Sequence, residues 1–190
     1  MTKTLCPPYA GARLSDVSQG FWARQIQGGY HTGVDFAPKN AYGKFLVAPE
    51  CCEVKQIITD ETLDNDYYPV FLRGYGVVLQ SLNFKNIQYL FWHCMQCFPV
   101  RVGQIVMQGQ AVAQIGNSGC CYSGGKFVEL KDRASGKGAH LHYERRDIER
   151  SKFYTDVLPY IDWTMPVRLN TLQAVQQTLL AMQNLIIGRE

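Results

Sequence analysis

The sequence predicts a mostly β domain followed by one C-terminal α-helix. The runs between Gly, Pro and Asn residues are short and rich in Val, Ile, Phe and Tyr, the pattern of strands joined by tight turns. Hydrophobic residues make up 46% of the 190 and charged residues 18%, enough apolar material to fill one core of ordinary domain size. Only the last segment changes period: Leu172, Val175, Leu179, Met182 and Ile186 recur at three- and four-residue intervals.

In chain order, FLVA at 45–48 and VKQII at 54–58 read as two strands broken at Pro49 and Glu50. Residues 60–69 read as a polar loop. Residues 76–82 form a strand, NFKN at 83–86 the turn, and residues 87–92 the returning strand. The stretch VRVGQIVMQGQAVAQIGNSG reads as two short β-elements separated by Gly-Gln turns. Residues 122–139, rich in Gly, Lys and Ser, read as a long loop with a short strand at 127–130. The domain closes near Tyr160 to Trp163, which divides the chain into a domain over 1–163 and a helical extension over 164–190. Asn170 or Thr171 caps the helix and Gly188 ends it. Two readings of that helix stay open: packing on its own domain, or self-association.

Several function classes drop out at once. No run approaches the ~20 apolar residues of a bilayer span. The net charge of +3, from 19 basic and 16 acidic residues, is small and scattered, which argues against nucleic acid as a partner. The N-terminal MTKTLCPPYAGAR lacks the apolar run of a secretory signal, so the expectation is either a signal removed before this numbering or a chain made in, and kept in, the cytoplasm. The seven cysteines are odd in number, and Cys51-Cys52 and Cys120-Cys121 are adjacent pairs, which suits reduced thiols better than a disulfide framework. Cys94 and Cys97 form a lone CxxC; a structural metal there would need two further ligands from the adjacent pairs.

The four histidines carry the most information. In His31-Thr32-Gly33-Val34-Asp35, a strand would place His31, Gly33 and Asp35 on one face, with only a glycine between two possible ligands. In His140-Leu141-His142 both histidines would share a face while Leu141 enters the opposite layer. His93 ends the apolar run YLFWH. Each motif alone also fits exposed or hydrogen-bonded polar residues. Together, two His and one Asp make a donor set of the catalytic zinc kind: three protein ligands and an open position. One carboxylate cancels only part of the +2 charge, which leaves the ion Lewis-acidic. The remaining histidines would serve proton transfer or oxyanion stabilisation.

GGYHTGVDFA, GYGVVLQ, VGQIVMQGQAVAQIGNSG and GAHLHYE, in this order over about residues 18–146, resemble the lysostaphin-type (LytM-type) zinc metalloendopeptidases. The resemblance implies an antiparallel β-sheet or sandwich with a long active-site groove. It implies zinc-dependent hydrolysis of stem or cross-bridge peptides in bacterial peptidoglycan. The family's zinc ligands fall on His31, Asp35 and His142, and its catalytic histidines on His140 and His93. The separation of Gly119 from His140 is longer than usual in the family, so an insertion lies beside the site. FWHCMQC around His93 departs from the family's usual small-residue setting. Numerous thiols and no secretory signal fit a phage lysin or virion component, made in the cytoplasm and acting at the cell wall. The competing reading is a non-catalytic binding or regulatory module on the same fold. Aromatic residues near the motifs (Trp22, Tyr30, Tyr67, Tyr68, Tyr75, Trp92, Tyr143) either line a groove or pack the core. Lys126, Lys131, Arg133 and Lys137 either contact an anionic wall polymer or form a solvated loop.

Overall fold

Period-two alternation in the strands decides which residues enter the core and which are left for chemistry. The structure is a computed structural model and describes residues 4–25, 28–59, 73–150 and 153–169, with Val175 and Leu179. Twelve strands are described: β1 (Val17–Gln19), β2 (Val34–Phe36), β3 (Phe45–Val47), β4 (Cys52–Ile58), β5 (Gly76–Ser81), β6 (Ile87–Trp92), β7 (Ile105–Val106), β8 (Ala111–Gln114), β9 (Tyr122–Ser123), β10 (Lys126–Phe127), β11 (Leu141–Asp147) and β12 (Phe153–Thr155). The main sheet has the order β1-β2-β11-β6-β5-β4-β7, with β12 also on β11. Its strand pairs are antiparallel. β3 and β8 pair separately, and so do β9 and β10.

The main core lies on one face of this sheet. Val34 and Phe36 of β2, Val77 and Leu79 of β5, Tyr89 and Phe91 of β6, and Leu141 and Tyr143 of β11 meet Leu46, Ala48, Val112 and Ile115. Each fully buried Val, Leu, Ile or Phe side chain contributes about 1.5–3 kcal/mol. The intervening residues of the same strands point the other way. Val78, Leu90 and Trp92 form a smaller apolar cluster there with Ile58. Asp35, His142 and Glu144 share that alternate register. Pairing of β11 with both β2 and β6 sets Asp35, His142 and Trp92 abreast on three neighbouring strands. Near the ends of the described domain, Leu5 pairs parallel with Ile161, and Asp162 N–H donates to the Leu5 carbonyl at 2.8 Å.

The fold departs from the sequence expectations in particular places. β2 begins only at Val34, so His31 lies before the bend at Thr32 and Gly33 and does not share a strand face with Asp35. Gly33 is required for a different reason from leaving room for an ion. A Cβ there would sit 2.5 Å from the Tyr143 carbonyl oxygen and 3.0 Å from His142 Nε2, so β2 presses directly on β11. Residues 122–139, expected as an insertion, hold the β9–β10 hairpin and then one helical turn, α1 (Leu130–Arg133). Two-residue strands carry no periodic signal. What fixes the insertion is Asn117, whose amide Nδ2 donates to the carbonyls of Arg133 and Lys137 at 2.9 Å each. The polar loop at 60–69 lies outside the described residues. So does the C-terminal helix, except that Val175 and Leu179 are helical and exposed.

Gly33→Ala tests the strand contact. The added methyl must push β2 from β11, at about 1–3 kcal/mol for an overpacked site. Urea unfolding should show a lower midpoint for this variant; an unchanged midpoint would mean the two strands are free to separate.

Candidate metal and catalytic site

The site forms where the bend before β2 meets the start of β11. His31 Nδ1–H donates to the Gly20 carbonyl at 2.9 Å, which leaves Nε2 as the lone-pair nitrogen. That Nε2 lies 3.1 Å from Asp35 Oδ1 and 2.8 Å from His142 Nδ1. His142 Nδ1 is also 2.8 Å from Asp35 Oδ1. On its other side His142 Nε2–H donates to Glu144 Oε1 at 3.0 Å. Each histidine therefore spends one ring nitrogen on a fixed partner and turns the other inward. Three donor atoms converge in a triangle with sides of 2.8, 2.8 and 3.1 Å. Tetrahedral zinc with bonds of about 2.0–2.1 Å spaces its ligands by about 3.3 Å, so an ion fits if the triangle opens by a few tenths of an ångström. The chemistry of the set suits it: two imidazoles, one carboxylate, and outer bonds that orient both rings.

Without a cation, a proton holds this triangle together. Burial alone would lower the His142 pKa, but the hydrogen bonds to Asp35 and Glu144 outweigh it and push it up to about 9. Asp35 is also buried, which opposes ionisation. Its bonds to His142 and His31 win and hold it well below the usual carboxylate range. A proton on His142 Nδ1 thus occupies the position a cation would take.

Glu144 is the residue that the sequence reading missed. It is wholly buried, yet remains ionised because Arg73 and His142 outweigh the desolvation that burial imposes. Its Oε1 accepts from Thr32 Oγ1 at 2.6 Å and from His142; its Oε2 accepts from Arg73 Nη1 at 2.9 Å and Trp92 Nε1 at 3.1 Å. Its position two residues after His142, on the same strand face, was available as a signal. The donors from Arg73 and Trp92 come from 71 and 52 residues away and were not.

His140 and His93 stand beside the triangle with ring centroids 4.5 Å apart. His140 Nδ1–H donates to the Gly138 carbonyl and His93 Nδ1–H to the Ser118 carbonyl, each at 2.8 Å. His140 Nε2 lies 3.9 Å from Asp35 Oδ2. His93 has φ +59°, a left-handed backbone that costs a non-glycine residue about 1–3 kcal/mol and marks functional sites. Main-chain bonds hold it there: His93 N–H to the Arg73 carbonyl, and Gly116 N–H to the His93 carbonyl. Burial, then the neighbouring His140 and His142, keep His93 well below its ordinary pKa, so the ring is neutral.

All five sequence-predicted site residues thus line one groove of about 750 Å³. No protein-family model and no curated protein matches this sequence. Among solved structures, LytU is 23% identical, with 79% of this chain and 86% of that chain covered at a TM-score of 0.56. The catalytic domain of lysostaphin from Staphylococcus simulans is 21% identical, covering 75% and 89%, TM-score 0.55. A chain of the SpoIIQ–SpoIIIAH pore-forming complex is 16% identical, covering 88% and 95%, TM-score 0.55. The chain has the lysostaphin-type peptidase fold.

On this lysostaphin-type fold, the groove is walled by the segment before His31 and by the insertion. Tyr30 lines it and stacks on Trp22, with centroids 4.9 Å apart and planes within 3°; both rings are exposed. Trp92 and Tyr143 are buried, and Tyr75 packs partly buried against the core. Tyr67 and Tyr68 lie outside the described residues. Of the basic residues in the insertion, Lys131 and Lys137 pair with Glu129 and Asp132 in solvent, and Arg133 donates to the Gly119 carbonyl. The described residues contain no helix long and apolar enough to cross a membrane.

Glu144→Gln tests the buried network. It should cost about 3–5 kcal/mol at pH 7, because Arg73 and His142 lose a buried ionised partner. A carboxylate whose folded pKa is depressed stabilises above its unfolded pKa and loses that contribution as pH falls. The chelated wild-type protein should therefore weaken below about pH 4.5. The variant should show a shallower acid limb in urea unfolding at pH 7 and pH 3. Equal slopes would contradict an ionised Glu144.

Proposed function

We propose that this chain is a zinc-dependent endopeptidase acting on the stem or cross-bridge peptides of bacterial peptidoglycan. The observation that carries this reading is the convergence of His31 Nε2, Asp35 Oδ1 and His142 Nδ1 beside two further histidines in an open groove. Zinc held by these three atoms would supply Lewis acidity, enough to activate water at neutral pH and polarise a peptide carbonyl. The rest belongs to the chain. His140 and His93 each have Nδ1–H tied to a backbone carbonyl, so each presents a bare Nε2 when neutral. His93, held neutral, is suited to accept a proton from attacking water at Nε2. His140, nearer Asp35, is suited to hold a proton at Nε2 against the developing oxyanion and pass it to the leaving amine. Glu144 orients His142 and keeps its Nδ1 aimed inward. The open groove and the exposed Tyr30 that lines it, stacked on Trp22, support an extended peptide as substrate, bound at the cell wall.

The same fold also supports a binding module of wall or virion machinery without hydrolysis. Purified protein, with and without a chelator, should be incubated with walls of different cross-link chemistry and the released ends identified by mass spectrometry. New amino termini that vanish with chelator are expected; their absence on every wall favours the binding module.

The paired histidines should separate by variant. His142→Ala should sharply weaken binding of the first equivalent of zinc, since one of its three ligands is gone. His140→Ala should bind the first equivalent of zinc as the wild type does and lose turnover by about 10²-fold or more. Metal content read beside turnover decides. Zinc lost in His140→Ala but kept in His142→Ala would reverse the two assignments.

A further inference from the structure

The lysostaphin-type site has a neighbour of different chemistry. Cys121 Sγ lies within 4.8 Å of a ring nitrogen of His93 and of one of His140, and those two nitrogens also lie within 4.8 Å of each other. Cys121 is fully buried and absent from the groove lining, while His93 and His140 line the groove. The three side chains are held in place before any ligand arrives. The Ser118 carbonyl accepts from both His93 Nδ1 and Cys121 Sγ, at 2.8 and 3.3 Å. Ser118 is itself fixed, with Oγ donating to the Cys94 carbonyl at 2.7 Å and accepting from Tyr75 N–H at 2.9 Å. Gly119 follows at φ +73°, so close to Gly74 that a Cβ would meet its nitrogen at 2.4 Å. The loop before Cys121 therefore has little freedom to carry the thiol away.

We propose that His93, His140 and Cys121 form a second metal site, selective for thiolate-seeking cations such as zinc(II), cobalt(II) or copper(I). One thiolate and two imidazoles are a soft-to-borderline donor set, whereas the His31–Asp35–His142 triangle offers nitrogen and oxygen only. Binding replaces the Cys121 thiol proton, which leaves to solvent, with a sulfur–metal bond; no oxidation state changes. Occupancy takes the ring nitrogens of both histidines, so excess metal switches the enzyme off. That consequence rests on the function proposed above; the site itself does not.

Cobalt(II) is the probe, because thiolate ligation produces a near-ultraviolet charge-transfer band that nitrogen and oxygen ligands do not. The full chain, stripped by chelator, should take up two equivalents and show the band. Cys121→Ser should take up one equivalent without the band; that retained equivalent also reports that the variant is folded. Asp35→Ala should take up one equivalent and keep the band. Cys120→Ser, which removes the adjacent thiol, should behave as wild type. With zinc, hydrolysis at two equivalents relative to one should fall by about 10²-fold in wild type, the scale of losing acid–base help, and the ratio should stay near one in Cys121→Ser. A missing band in wild type, or a band that persists in Cys121→Ser, overturns the second site. Chelator-insensitive or absent hydrolysis with the band present overturns the proposed function and leaves the second site standing.

Discussion

Lone pairs aimed at one point repel unless a positive charge stands between them, and the site is built around that constraint. His31 Nε2, Asp35 Oδ1 and His142 Nδ1 face one another at hydrogen-bond distance. In the metal-free protein the charge is the proton that His142 retains up to about pH 9. A divalent cation does the same work with twice the charge. The fold keeps the arrangement from relaxing by securing the outer side of each ring, His31 to the Gly20 carbonyl and His142 to Glu144.

The sheet supplies the rest of the rigidity. Alternation sends Val34, Phe36, Leu141 and Tyr143 into the core and leaves Asp35, His142 and Glu144 on the opposite face. Asp35 cannot drift from His142 without breaking the β2–β11 register. Glu144 ties that face to β6 through Trp92 and, through Arg73, to the segment that precedes β5. An ionised carboxylate with no exposure is costly to bury, and its four donors are what offset the cost. Removing it disturbs stability and ligand orientation together.

What could be read in the sequence was local. The strands at 54–58 and 87–92 announce themselves through composition and turn residues, and the HxH spacing places two histidines on one side of a strand without further information. HxxxD was readable as a pair, although its geometry was not: β2 begins only at Val34, which leaves His31 off the strand, and the close approach of Gly33 to Tyr143 is a tertiary contact. The insertion hid its order because its strands are two residues long and its anchor, Asn117, lies outside it. Cys121 read as a plain thiol, with Cys120-Cys121 a possible partner for the CxxC; it meets His93 and His140 instead, because the rigid turn at Ser118–Gly119 aims it there.

X-ray absorption at the zinc edge tests the central claim most directly. Protein loaded with one equivalent of zinc should show two imidazole nitrogens and oxygen donors at about 2.0–2.2 Å, with no sulfur near 2.3 Å, and Cys121→Ser should give the same spectrum. A sulfur shell in the first equivalent, or a spectrum unchanged by Asp35→Ala, would contradict the His31–Asp35–His142 centre.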